Sequence, residues 1–297
     1  MCVVRVTSFL AFAPGCEPAV GPLDPPPKPA EETIIDTGSP PTPDVVTASG
    51  ILFRLIPAGT FDMGCTAELV TEGHCDENEL DVHEVTITRP FLIAETEITQ
   101  DEFFAVSATS PSFFKGCGDC PVESISWHEA VAFLNALSAA EGLPPCFTCT
   151  DDRCDPVSDV VGCAGYRMPT EAEWEYAARS GYPFVYSGSD VASDVAWFSA
   201  NSDQTSHPVR SKAPNAWSLY GLSGNVWEWI GDGYEEEYGP EPEIDPSPAG
   251  DGTTRVKRGG SWFSLRQLTR VSNRSWDTPP DERRPSLGVR PVRTIEP

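Results

Sequence analysis

No cysteine lies beyond Cys163, although the chain of 297 residues has ten, and histidine is almost as scarce. His74, His83, His128 and His207 are the only four, no two at the spacing of a metal-binding pair, and each is read as a surface or structural residue. Basic residues are few as well: 20 Lys and Arg face 45 Asp and Glu, a formal net charge of -25. Such a surface repels nucleic-acid phosphates and anionic headgroups, so no nucleic-acid partner is expected. It suits solubility and can attract divalent cations. After the N-terminus no stretch approaches the roughly 18 apolar residues needed to span a bilayer, so membrane contact is expected only through a lipid anchor. A GxSxG elbow, an HExxH helix, a phosphate-cradling glycine loop, a Ser/His/Asp arrangement and internal repeats are all absent.

What is abundant is punctuation. Thirty prolines and 24 glycines indicate a loop-rich fold. Eight cysteines cluster in the first part of the folded region: Cys65, Cys75, Cys117, Cys120, Cys146, Cys149, Cys154 and Cys163. An even, clustered set predicts disulfides in an exported protein. The competing reading is zinc, because Cys117-Gly-Asp-Cys120 and Cys146-Phe-Thr-Cys149 have CxxC spacing, although they lack zinc-ribbon surroundings. Cys65 and Cys75 are expected to bridge, as are Cys117 and Cys120. Pairing among the other four is open.

Residues 1–16 have one basic residue, Arg5, a short apolar run and Ala-Pro-Gly-Cys16, which reads as an export signal of lipoprotein type with Cys16 as the lipidated residue. Residues 17–47 are rich in proline and acid and read as an extended tether. From residue 48 to 297 the chain has the composition of a folded domain. ILFRLIPAGTFDMGC reads as a strand pair turning at Pro57-Ala-Gly59, and the segment from Asp81 gives two more strands. Three capping boxes, Thr99 with Glu102, Ser126 with Glu129 and Thr170 with Glu173, open short helices, the second ending at Gly142. The acidic run from Asp232 to Glu243 reads as a solvated loop. Few helices, many short strands and long loops make an irregular α+β domain.

Several segments then carry a family resemblance: IPAGTFDMG from Ile56, ETEIT from Glu95, PVESISW from Pro121, RMPTEAEWEYAAR from Arg167, GNVWEW from Gly224, RGGSW from Arg258 and LGVR from Leu287. In that order they resemble the formylglycine-generating enzyme (sulfatase-modifying factor) family across nearly all of residues 48–295. The resemblance implies a loop-rich variant of the C-type-lectin fold, here stapled by disulfides. It implies no single activity, since the family includes a copper oxidase, iron enzymes, pyoverdine-maturation proteins and domains without known chemistry.

In the oxidase branch two cysteines hold copper. Their positions fall near Ser264 and Thr269. Hydroxyls cannot replace soft thiolates for copper(I), so no copper and no formylglycine-generating oxidase activity are expected. The family also implies a structural calcium ion, matched by the carbonyls of Gly224 and Val226 and the carboxylate of Glu228. The further ligand position falls on Gly221, which has no side chain to offer. Asp194 and Asp203 match a second family ion site only loosely. Trp227 and Trp229 are expected in the core. The resulting expectation is an exported, envelope-associated binding protein with an unidentified protein or envelope ligand. The alternative is a divergent enzyme of the family with a different substrate or chemistry.

Overall fold

The computed structural model describes residues 45–47, 49–65, 69, 75–150, 153–236, 239, 241–246, 248 and 253–295. The residue read as lipidated, Cys16, and most of the tether lie outside these, as does His74. Among the described residues no helix is long and apolar enough to cross a membrane.

Two four-stranded sheets form the framework. In the first, β1 (Val45–Val46), β2 (Leu52–Ile56), β5 (Phe91–Ala94) and β13 (Val292–Thr294) lie side by side, every pairing antiparallel. In the second, β8 (Trp227–Gly233) lies between β10 (Arg255–Arg258) and β12 (Leu287–Gly288), with β11 (Arg274–Thr278) outside β10. All seven residues of β8 are buried. Strands β3 (Gly59–Met63), β4 (His83–Ile87) and β9 (Glu243–Ile244) make a third sheet, and β6 (Phe147–Thr150) with β7 (Arg153–Pro156) a hairpin.

Helices α1 (Gln100–Ser107), α2 (Trp127–Ala140) and α3 (Glu171–Arg179) each begin at the expected capping box, with the cap side chain and the Glu three residues on bonded reciprocally. A single turn, α4 (Ala192–Val195), has no side-chain cap and no counterpart in the sequence reading. Trp127 at the start of α2 donates its indole N–H to Ile230 O at 2.9 Å, and Trp229 donates to Ile125 O at 3.0 Å. These two bonds lock α2 onto β8. Trp227 and Trp229 are both buried, as expected.

The expected pair β2–β3 does not form. Ile56 pairs with Phe91 in the first sheet, whereas Gly59 pairs with Ile87 in the third. The intervening turn is a corner between sheets rather than a hairpin, and a Cβ at Gly59 would collide with the Tyr176 hydroxyl of α3. Of the acidic run, Glu235, Glu236 and Glu241 are exposed as expected of a solvated loop, but its first residue is not. Asp232 is buried within β8, and its Oδ2 accepts the N–H of Glu171 at the first turn of α3 (3.0 Å).

The eight clustered cysteines form four disulfides: Cys65–Cys75, Cys117–Cys120, Cys146–Cys163 and Cys149–Cys154. Both CxxC segments are therefore disulfide-bonded. Cys146 and Cys154 belong to the larger apolar core beside Trp127 and Phe133.

Candidate functional site

Ser264 and Thr269, where the resemblance puts the oxidase's thiols, follow Gly259-Gly260 at the end of β10. Both hydroxyls serve the turn itself. Ser264 Oγ accepts the N–H of Ser261 at 3.0 Å and lies 3.1 Å from its Oγ, while Thr269 donates to Arg266 O at 2.8 Å. Thr269 is fully buried. A neutral hydroxyl bonded to its own turn is a poor metal ligand.

Beside this turn lies an apolar face. Phe113, Phe263 and Leu265 are 66%, 69% and 58% exposed. They are not loosely held. The backbone N–H groups of Phe113 and Phe114 donate to the Glu123 carboxylate at 3.0 and 2.9 Å, and the Ser124 hydroxyl adds a third bond at 2.7 Å. Glu123 is fully buried, so a desolvated charge fixes the loop that carries the two rings. Phe114 meets Trp262 edge to face at 5.3 Å between centroids, and Trp262 is anchored through its indole N–H to Pro285 O at 3.0 Å.

Beneath the face lies the segment Gly221–Glu228. Asn225 joins three loops: its N–H donates to Trp197 O (2.8 Å), its side chain brackets His207 (2.9 and 3.2 Å), and its O accepts from Trp262 N–H (2.7 Å). Glu228, at the start of β8, is fully buried and surrounded by donors. Arg290 approaches it through Nε at 2.9 and 3.0 Å and Nη2 at 2.7 Å, and Trp174 adds its indole N–H at 2.7 Å. Arg290 also donates to the carbonyls of Ala94 (2.9 Å) and Tyr220 (2.6 Å).

Glu97 completes this centre, and its role was missed in the sequence. It is 1% exposed, neither carboxylate oxygen has a hydrogen bond of good geometry although its own backbone N–H and the Asn225 side chain lie close enough to favour the charged form, and Arg290 Nη2 lies 3.7 Å from Oε2. Burial pushes its carboxyl up to about 8; Arg290 pulls it down, and the Glu228 charge adds to the rise. Two buried carboxylates thus share one guanidinium, leaving a negative charge for a proton or a cation to balance. Gly221, at φ +73°, is the ligand position without a side chain, and a Cβ there would collide with the Glu97 carboxylate. Glu97 therefore fills the space a side chain at residue 221 would take. The adjoining cavity, lined by Glu97, Trp197, Arg210, Tyr220, Gly221 and Asn225, leaves about 10 Å³, the volume of one water or ion. Glu97 is the one carboxylate on this lining, which Lys212 shares with Arg210, and Glu228 is already held by Arg290 and Trp174. The only sequence signal for Glu97 was its place in ETEIT.

The histidines hold no shared site among the described residues. His83 Nδ1 meets Asp81 O at 2.9 Å, His207 stacks on Trp197 at 3.8 Å, and His128 Nδ1 accepts the N–H of Cys154 at 3.1 Å. Asp194 and Asp203 fall on α4 and on a turn where Asp203 has φ +52°; among the described residues no cluster of three metal-ligating side chains includes them.

Mixed short sheets, few helices and a buried Trp–Glu–Arg centre define an α+β domain. The chain belongs to the family of the sulfatase-modifying factor enzyme 1-like domain, whose model matches residues 44–295. It is similar to the formylglycine-generating enzyme of Streptomyces coelicolor, at 33% identity over 79% of this chain and 87% of that protein. It is also similar to the chaperone protein LppX of Paenibacillus barcinonensis, at 32% identity over 61% of this chain and 72% of that protein. Among solved structures, Treponema denticola variable protein 1 superposes with a TM-score of 0.75 at 30% identity, over 86% of this chain and 100% of that one.

Proposed function

We propose that the chain is an exported, noncatalytic binding protein that uses the apolar face beside residues 262–265 to hold a polypeptide in the cell envelope. The observation that carries this reading is the pairing of Ser264 and Thr269, both bonded into their own turn, with the exposed apolar side chains of Phe263 and Leu265 on either side of Ser264. Hydroxyls neither hold copper(I) nor form a mixed disulfide with a substrate cysteine. A preorganised apolar patch loses little freedom on binding. The name of the LppX relative, a chaperone, supports a role in holding polypeptides. Four disulfides support an oxidising compartment, and a lipid on Cys16 would keep the domain at the envelope.

A structural calcium ion belongs to the same proposal. The carbonyls of Gly224 and Val226 and the carboxylates of Glu228 and Glu97 would hold it, and it would neutralise the surplus charge of this centre. Its expected effect is on stability alone. Thermal unfolding should move to higher temperature with calcium than with chelator, and Glu97→Gln should abolish the difference.

The second reading, an enzyme with altered chemistry, is favoured by the similarity over 87% of the Streptomyces coelicolor enzyme. One experiment separates the two. The purified chain is loaded with copper, analysed for metal, and incubated with a cysteine-containing sulfatase peptide. Binding alone predicts neither stoichiometric copper nor formylglycine, and product in the mass spectrum overturns it. In parallel, an alkylated, permanently unfolded polypeptide should bind the wild type and not a Phe263→Ala/Leu265→Ala variant.

A further inference from the structure

Cys117–Cys120 differs from the other three disulfides in what it encloses. Its cysteines are three residues apart, against 5, 10 and 17 for the others. A cross-link stabilises chiefly by restricting the unfolded chain, and the restriction shrinks with the ring, so this bond adds least to stability. Its position is more informative. Cys120 is 3% exposed while Cys117 is partly open to solvent. Ring carbonyls accept the first amides of α1: Gln100 N–H donates to Cys120 O at 2.9 Å and Asp101 N–H to Gly118 O at 3.0 Å. Gly118 sits directly against the Asp101 carboxylate, at the start of the helix. The pair therefore lies at the N-terminal end of an eight-residue helix, where amide dipoles favour a thiolate. The carboxylates of Asp101 and of Asp119, whose Oδ1 is 3.2 Å from Cys117 Sγ, oppose that effect.

The ring also braces the cavity wall. Asp119 O accepts the N–H of Val209 at 2.9 Å, and Pro208, Val209 and Arg210 line the space against Glu97. On the ring's other side Val122 N–H donates to Ile98 O at 2.8 Å, beside Glu97 itself. Opening the ring would loosen two segments that enclose the same buried carboxylate.

We propose that Cys117–Cys120 is a thiol–disulfide exchange site for an external dithiol, and that its redox state sets how tightly the wall at 208–210 closes over Glu97. A partner thiolate attacks the accessible Cys117 sulfur, the ring bond breaks, and its electron pair leaves on Cys120 sulfur, which takes a proton. The partner's second thiolate then attacks the mixed disulfide and releases Cys117 as a thiolate, which is protonated in turn. Two electrons pass to the ring, and the partner dithiol becomes a disulfide. This proposal does not depend on the nature of the ligand at the exposed face.

Graded dithiothreitol on the native chain, followed by alkylation and peptide mapping, tests the site. Cys117 and Cys120 are expected to be labelled at a concentration that leaves the other three disulfides oxidised. Simultaneous labelling of all pairs, or earlier labelling of Cys149, which is exposed, overturns it. Hydrogen exchange tests the coupling. In the selectively reduced chain, and in a Cys117→Ser/Cys120→Ser variant where it folds, the Val209 amide should exchange about tenfold faster while β8 amides keep their rate. An unchanged Val209 rate overturns the coupling.

Discussion

Between Cys65 and Cys163 the loops are fastened by sulfur; from Tyr166 to Arg290 they are fastened by guanidinium–carboxylate pairs. The first region has four disulfides. The second has none, and instead buries charge. All nine residues of α3 are buried, including three glutamates and an arginine. Glu173 takes Arg167 Nη1 and Nη2 at 2.7 Å each, Glu171 takes Arg274 at 2.7 and 2.9 Å, and Glu175 takes Arg179 and Arg258. Glu79 reaches across from the first region to Arg270, Ser272 and Asn273. A disulfide restrains the unfolded chain and survives acid and salt. A buried ion pair restrains only the folded chain and fails when one partner loses its charge. The two regions should therefore answer different insults, and mutants can expose the contrast.

The largest effect is expected from Arg258→Met. It leaves Glu175 and Glu171 with fewer compensating charges in a region without exposure, and the cost should be about 3–5 kcal/mol, read from denaturant midpoints. Cys146→Ser/Cys163→Ser should follow, at about 3 kcal/mol for a ring of this size. If the disulfide variant proves the more damaging, the contrast between the regions is broken. Acid sharpens it further. Burial raises the Glu79 carboxyl, but bonding to Arg270, Ser272 and Asn273 outweighs it and holds it below its ordinary 4.5. Its stabilisation is thus complete above 4.5 and is lost as pH falls through the lower folded value. Glu79→Gln should flatten the acid limb of a stability–pH curve below 4.5, whereas loss of Cys146–Cys163 should shift the curve without changing that slope. The smallest effect belongs to Phe263→Ala, within about 0.5 kcal/mol because the ring is exposed, with loss of polypeptide binding as its only large consequence.

The sulfur-fastened half was the easier to read. Even cysteine number, close spacing and capping boxes are local signals, and they predicted the Cys65–Cys75 and Cys117–Cys120 bridges and the starts of α1 and α2, while the pairing of the other four cysteines stayed open. The charged half hid its logic. EAEWEYAAR alternates charge and aromatic residues in a way that would suit a half-exposed helix. Its partners Arg258 and Arg274 arrive from about 80 to 100 positions later. The orphaned carboxylate of Glu97 was equally hidden, because it exists only where Gly221 and Arg290 converge. The failed β2–β3 pairing is of the same kind, since the strands' partners, Phe91 and Ile87, lie about 30 residues away.

Strand β13 has a consequence for the order of synthesis. Val292 is fully buried, pairs with Ile93, and exchanges backbone bonds with Arg167 at 2.9 and 2.8 Å, while Arg290 just before it holds Glu228. A chain that emerges N-terminus first cannot complete its first sheet, or neutralise its central glutamate, until residue 294 has emerged. The earlier cysteines emerge before that moment, so bridges that form on the growing chain do so without its final strand.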